Sequence, residues 1–427
     1  MYRGDPRLGL SDSSGHFVSP RFQSGRRWRE AWAESAVSDP MDGPGRWLGC
    51  RPVKRETSAV WLLVVSALAL KLLLPSQTLA VQTTLPDCDS SCELRFERVA
   101  VLGETTGPGY VGRPVGLVQR ADGLYALIDR ADQDRVKFYE SDGQYLRSFG
   151  RRGQGPGEFQ TTNHLFLLDG DSVMVHDLGS RRFTVISPDF SVGRVTPPVD
   201  FMPGRLVHVP DGSWIANARV FSPSGIGLPL HWLDEDGTVI RSFGADPPIE
   251  DLTDSAKIRR RLATSTTRSV WAVHQPRYLM EEWSRDGSQL RNIERAPSWF
   301  PPHEGGVTAP DGSPLPYVRV FHQDRNGLLW TVVWVPADDW RDGLAAGEGP
   351  QGQPGAVVSD YSRLYDTVIE VIDPDAGRVI RSQRFDVPFW GFVEDGRAYA
   401  LENVNDGADV RISVWEIEFG PAPDSDR

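Results

Sequence analysis

Three histidines supply the first chemical possibility in this 427-residue chain: His164, His208 and His322. His208 stands three residues before Asp211, as Gln119 stands before Asp122, and His322 stands four before Asn326. Imidazoles brought from three separate segments to one place could hold a metal and leave a coordination position open for a substrate. The competing reading is structural, because a histidine in a short strand commonly serves as a cross-strand or core-edge hydrogen-bonding group. His274, in a second strand, fits the metal reading less well. Asp129 and Asp177 are each followed within six residues by arginine, Arg135 and then Arg181 and Arg182. Such a recurring pair reads as an inter-strand clamp rather than as an acid/base dyad, since catalysis needs one special site. Gly153-Gln-Gly-Pro-Gly157 is glycine-rich but leads from strand to strand, so it lacks the helix N-terminus of a phosphate cradle. No convergent catalytic set is assigned.

Aromatic and basic residues suggest recognition instead of catalysis. Trp299, in Pro297-Ser-Trp-Phe-Pro-Pro302, and Trp340 fall outside the strand pattern, where exposed rings could stack on a sugar or anchor a partner. Arg259, Arg260 and Arg261 form the densest basic run after residue 80, read as a solvated face or a site for an anionic glycan or lipid head group. Cys88 and Cys92 stand four apart, a spacing that closes a small disulfide loop in an oxidising compartment. Free thiols are the alternative. A zinc site is disfavoured because no second Cys pair or nearby His completes a tetrahedron.

These residues must be positioned by elements, and composition limits which. Gly and Pro together number 75, which argues against a mostly helical protein, and the 39% hydrophobic content can build a core. Residues 81–427 hold 35 basic and 51 acidic side chains, so that part carries −16 of a chain whose total is −12. A field of that sign repels phosphate backbones, and nucleic acid is not expected as a partner. Ala59 to Leu70 is one short apolar run, followed by Lys71 and stopped at Pro75, with Arg51, Lys54 and Arg55 before it and Thr78-Leu79-Ala80 after it. That arrangement reads as a cleavable secretory signal over 59–80, with an uncleaved anchor as the alternative. Residues 1–58 read as a disordered or n-region segment with Met41 as an alternative start, 81–92 as a linker, and 420–427 as a disordered tail. The compartment expected is the periplasm or the extracellular space, with the membrane touched only through an uncleaved N-terminal segment.

After residue 92, Asp-Gly or Asn-Gly pairs, a strong short hairpin signal, begin at 122, 142, 169, 211, 236, 286, 311, 326, 342, 395 and 406. They separate short β-branched and aromatic runs such as Leu124 to Ile128 and Val136 to Tyr139. Only Ile249 to Leu262 has a plausible helical pattern. The pattern also repeats: Glu140-Ser-Asp-Gly-Gln-Tyr-Leu-Arg-Ser-Phe-Gly150 is echoed at Asp234 to Gly244, and Arg-Ser recurs at 147, 241 and 381. Those gaps of 94 and 140 are two and three units of about 47 residues, the size of a four-stranded propeller blade. The period divides the chain into six blades over 93–419, starting near 114, 163, 203, 260, 316 and 390. The last blade ends at Arg411 to Phe419 after three strands. Leu94 to Leu102 can supply its fourth and so remove two open edges. Asp342 to Gly355 reads as a mobile surface insertion in blade five.

Phe149-Gly-Arg-Arg-Gly-Gln-Gly-Pro-Gly-Glu-Phe159, preceded by Asp134-Arg135-Val136, resembles the signature of NHL-type six-bladed propellers of the exported bacterial kind. The resemblance covers roughly residues 93 to 419 and implies an all-β ring that serves as a protein or glycan binding platform. Some propellers of related fold are metal-dependent lactonases or lyases, which keeps a channel enzyme as the second reading. Innermost strands line the channel of such a ring, and His164, His208 and His322 fall on them. The expected state is a monomer that binds a protein or glycan through its face, with no cofactor beyond the metal those histidines could hold.

Overall fold

An Asp-Gly turn has a simple physical content, and the computed structural model of this chain repeats it around a ring. The structure describes residues 81–85 and 94–419, apart from 133–134, 200–201, 210, 221–224, 253–254, 306–307, 310, 349–353, 395 and 405–408. The signal-like segment 59–80, Cys88, Cys92 and the tail 420–427 lie outside the described residues. In the turns the aspartate carboxylate accepts from the N–H two residues on, as Asp122 does from Leu124 and Asp142 from Gln144. The glycine takes a left-handed φ, 92° at Gly143. A side chain at Gly143 would stand 2.2 Å from the carbonyl oxygen of Val101, so this turn also needs glycine to admit a neighbouring strand.

Between the turns, β-branched and aromatic runs pair into six antiparallel four-stranded meanders. Blade one is Pro114–Gln119, Tyr125–Asp129, Arg135–Tyr139 and Tyr145–Phe149, and blade two is Thr162–Leu167, Val173–Asp177, Arg182–Ile186 and Val192–Val195. Blade three is Met202–His208, Trp214–Arg219, Leu230–Leu233 and Val239–Phe243, and blade four is Arg260–Thr264, Val270–His274, Leu279–Trp283 and Gln289–Arg295. Blade five is Tyr317–Gln323, Leu329–Pro336, Tyr365–Asp373 and Arg378–Phe385. Blade six combines Phe389–Glu394, Arg397–Val404 and Asp409–Phe419 with Leu94–Leu102 as its outer strand, in register from Leu94↔Phe419 to Leu102↔Ile412.

A sheet buried on both faces needs a neighbour on each side. Six apolar clusters meet that need, one per interface. Ile128 and Phe138 meet Val175 between blades one and two, Phe183 meets Trp214 between two and three, and Trp232 meets Leu262 between three and four. Trp271 meets Val333 between four and five, Trp334 meets Phe389 between five and six, and Val414 meets Leu127 between six and one. Burying one such side chain stabilises by roughly 1.5–3 kcal/mol. Each innermost strand touches the innermost strands of both neighbours, including blade six against blade one, so the ring is complete.

Three expectations change. The helix expected over Ile249 to Leu262 is one turn, Ser255–Ile258, and its last three residues open the innermost strand Arg260–Thr264. The ring requires that strand, and tertiary pairing overrides a weak local propensity. The insertion in blade five is a paired hairpin, Leu344–Glu348 with Pro354–Val358, and not an unstructured loop. Residues 81–85, expected in a linker, run parallel to Gln289–Arg295 as a fifth strand on blade four, where the outer edge offers unpaired backbone groups.

Candidate functional site

Topology sorts every loop to one of two faces. In a four-stranded meander the first and third turns lie at one end. The middle turn and the crossing to the next blade lie at the other. The Asp-Gly turns of strands one–two and three–four therefore share one face. The opposite face carries the paired strands Leu344–Glu348 and Pro354–Val358 and the segments 225–229, 297–305 and 311–316.

The three histidines do not meet. Counted from the strand one–two turn, His208 lies at the last ladder position, opposite Trp214, and His322 one position inward, opposite Trp330. His164 lies three positions inward, opposite His176. Three positions are roughly 10 Å of strand, and successive positions face opposite sides of a blade. Their surroundings differ too. His208 lies with its ring centroid 4.5 Å from that of Trp214, His322 lies 5.9 Å from Phe392, and His164 lies 5.7 Å from His176. Burial holds both His164 and His208 below the usual imidazole range. Among the described residues no group of three His, Cys, Asp or Glu is placed to hold a metal ion.

Other expected residues are also re-assigned by their contacts. Trp299 is half-buried against Tyr278 and Phe300. Trp340 packs at the edge of the blade five–six core with Arg341 over its ring. Asp129 and Asp177 do clamp, but through backbone rather than arginine. Asp129 accepts from the N–H groups of Gly112, Arg113 and Ala131 and pairs with the Lys137 ammonium at 3.1 Å. Asp177 accepts from Gln160, Thr161 and Gly179 N–H groups and from the Ser180 hydroxyl. Each carboxylate thus ties the incoming connection to its blade, while Arg135 pairs with Asp132 and Arg182 donates to the Gly155 and Glu158 carbonyls. The glycine-rich segment wraps Glu158, which accepts from Gly155 N–H and Arg151, and it seats the buried ring of Phe159. Arg260 and Arg261, expected on a solvated face, are only 3% and 8% exposed. The strand they belong to is innermost and has a neighbouring blade on each face, so both are buried although they point to opposite sides.

A second site emerges from irregularities that no local pattern shows. Five of the six innermost strands carry extra residues in their ladders: Val115, Asn163, Gly204, Arg319, and in blade six both Trp390 and Val393. In blades one, two, three and five the bulge lies beside the same ladder position, opposite Ile128, His176, Asn217 and Val332, three positions from the turn. A bulge re-aims the local side chains. Here it produces a girdle near the long-loop mouth of the channel. The innermost strand of blade four keeps an unbroken register.

The girdle is cationic. Arg205 follows the blade-three bulge, Arg319 occupies the blade-five bulge, and Arg259 immediately precedes the innermost strand of blade four. Burial pushes the Arg205 guanidinium down to about 10, and the positive charges of Arg319 and Arg259 push the same way. Tyr399 of blade six and Tyr317 of blade five also act on it, and Arg205 in turn depresses His164 of blade two. The strand that carries Arg205 is innermost and touches the innermost strands of blades two and four. Tyr399 reaches this place from the second strand of blade six because Gly391 has no side chain. A Cβ there would stand 2.5 Å from the tyrosine ring. The Arg319 guanidinium carbon lies 4.8 Å from the centre of the Trp334 ring and 4.6 Å from that of Trp390. The faint signal in the sequence is an arginine or glycine inside a short apolar strand, in Pro203-Gly-Arg205, Val318-Arg-Val320 and Trp390-Gly391.

Comparison with known proteins agrees with the architecture. Residues 98–222 match the family DUF5128, described as a 6-bladed beta-propeller. The chain is a six-bladed β-propeller. No curated protein matches it. Among solved structures, a member of the DUF4221 family from Bacteroides vulgatus superposes with a TM-score of 0.52 at 9% identity, over 78% of this chain and 100% of that one. A Bacteroides fragilis protein to which export has been ascribed gives 0.50 at 11% identity, over 80% and 99%. A virginiamycin B lyase from Staphylococcus aureus gives 0.41 at 11%, over 76% and 99%. At these identities the likeness is one of fold, and a propeller fold hosts many unrelated functions.

Proposed function

We propose that this propeller is an exported, non-catalytic binding protein that takes a protein or carbohydrate ligand at the long-loop mouth of its channel. The observation that carries the reading is the girdle of ladder bulges at one level of four innermost strands, with Arg205 beside one bulge and Arg319 in another. Export is supported by the signal-like segment 59–80, by the Cys88–Cys92 spacing and by the Bacteroides fragilis neighbour. No helix among the described residues is long and apolar enough to cross a membrane. The NHL-type likeness rests on Phe149 to Phe159.

Metal analysis and a substrate scan test this reading together. Protein purified without a histidine tag is expected to carry no stoichiometric metal and to turn over neither lactones nor esters. Stoichiometric metal that disappears in the His208→Ala, His322→Ala double variant, or turnover that depends on these histidines, would overturn it in favour of a channel hydrolase or lyase.

A further inference from the structure

Several buried cations elsewhere in this protein have carboxylate partners, although the buried Nε of Arg261 has no hydrogen-bond partner. Lys137 lies 3.1 Å from Asp129 and 3.4 Å from Asp132, Arg295 lies 2.8 Å from Glu370, and Arg260 lies 3.6 Å from Glu281. Lys137 also borders a cavity of about 400 Å³ beside blade one, but with two carboxylates at hand it offers a ligand no unmet charge. The channel girdle is different. Arg205, Arg259 and Arg319 have no carboxylate within ion-pair distance among the described residues, and the buried Nε of Arg319 has no hydrogen-bond partner. The positive charges of Arg319 and Arg259 act on Arg205, and like charges without a counter-charge are unfavourable by mutual repulsion and desolvation. This holds in a chain of net charge −12, where acidic side chains are plentiful.

The shape of the unmet demand identifies its complement. The Arg319 guanidinium lies beside the Trp334 and Trp390 rings, which stand at 82° to one another, and a guanidinium offers a planar fork of N–H groups that matches a carboxylate bidentately. Half-buried Trp390 and Tyr399 border the same place with apolar ring faces, which an inorganic anion cannot use and the C–H face of a sugar can. An extended polyanion such as nucleic acid meets the surrounding negative field. We propose that the ligand is an acidic saccharide whose carboxylate docks on the edge of Arg319, with Arg205 and Arg259 neutralising it and the sugar ring resting against Trp390 and Tyr399. This deepens the binding reading above and rests on it.

Isothermal titration of the whole protein with trigalacturonate, its fully methyl-esterified neutral form, inorganic phosphate and a poly-glutamate peptide tests the proposal. Trigalacturonate should bind one to one and weaken with added salt. A charge-assisted hydrogen bond contributes about 1.5–3 kcal/mol, so R319Q and R205Q should each weaken binding by about 10- to 150-fold. The ester, phosphate and the peptide should bind at least ten-fold more weakly than the acid. R205Q removes a charge without disturbing the indole packing around Arg319, so it serves even if R319Q misfolds, and R268Q on an exposed turn is the control expected to change nothing. Several results would overturn the proposal: no binding of trigalacturonate, acid and ester binding equally, tighter binding of phosphate or the peptide, or affinity unchanged in R205Q. Equal binding of acid and ester that is still lost in R205Q would remove the carboxylate and leave the channel reading intact. Turnover in the substrate scan would remove the non-catalytic reading and leave the titration result standing.

Discussion

Glu370 is the carboxylate whose removal should be felt most sharply, and its effect can be worked from the structure. It is fully buried, accepts from Arg295 at 2.8 and 3.0 Å, from the Tyr278 hydroxyl at 2.8 Å and from Ser382 at 3.1 Å, and so ties blade four to blade five. Glu370→Ala takes from the Arg295 guanidinium, 2% exposed, the carboxylate that lies 2.8 Å from it. Breaking one side of a buried pair costs about 3–5 kcal/mol, whereas replacing both sides with apolar groups of similar volume is often neutral. At about 2.1 cal/mol/K per residue over roughly 330 residues, unfolding entropy is about 0.7 kcal/mol/K, so the single variant should melt about 4–7 °C lower. The assay is a double-mutant cycle in urea, followed by tryptophan fluorescence and by calorimetry, with Glu370→Leu, Arg295→Met and their combination. The combination should recover most of the loss of either single change. A loss below about 1 kcal/mol for Glu370→Ala, or a double variant as unstable as the two singles added, would refute the reasoning about this pair.

Two further outcomes follow from burial and from closure. His176 and His231 are fully buried, and burial lowers both to about 4. In the unfolded chain they titrate near 6.5, so between pH 6.5 and 4 the unfolded state binds more protons and stability falls on acidification. The slope should approach about 1.4 kcal/mol per pH unit for each histidine in the middle of that window. Urea unfolding at pH 7 and pH 5 should show a smaller difference in His176→Phe and in His231→Gln than in the wild type, and an unchanged difference would count against burial as the cause. The closing strand gives the other test. A chain starting at residue 94 should unfold cooperatively, whereas one starting at 103 uncovers the edge of Asp409–Phe419, loses buried Leu94 and Leu102, and should bind a hydrophobic dye without a sharp transition. A cooperative melt within about 2 °C of wild type for the shorter chain would show that the ring does not depend on this pairing.

The architecture was legible because its signals are local. An Asp-Gly turn needs only the carboxylate and the glycine within it, and the strands it joins need only their own β-branched and aromatic residues. Repetition of that unit gives the blade count. The three-strand last blade, beside an unassigned strand at Leu94 to Leu102, indicates how the ring closes. Ile249 to Leu262 shows the limit of such reasoning, since its local pattern favours a helix while blade four requires an innermost strand there.

The candidate site was much less legible. His164, His208 and His322 look equivalent when distance to a turn is counted along the chain, but they lie at three different ladder positions because register depends on the partner strand. Asp129 faces Arg135 across the ladder and still binds backbone N–H groups and Lys137. The arginine run at 259–261 looks like solvated surface by composition and lies in the wall of the channel. The amino-acid sequence by itself determined the turns, the strands and the number of blades, because these depend on near neighbours. Only the tertiary structure decided which charges face one another without a partner, because ladder bulges and the convergence of different blades on one axis bring together residues more than a hundred positions apart.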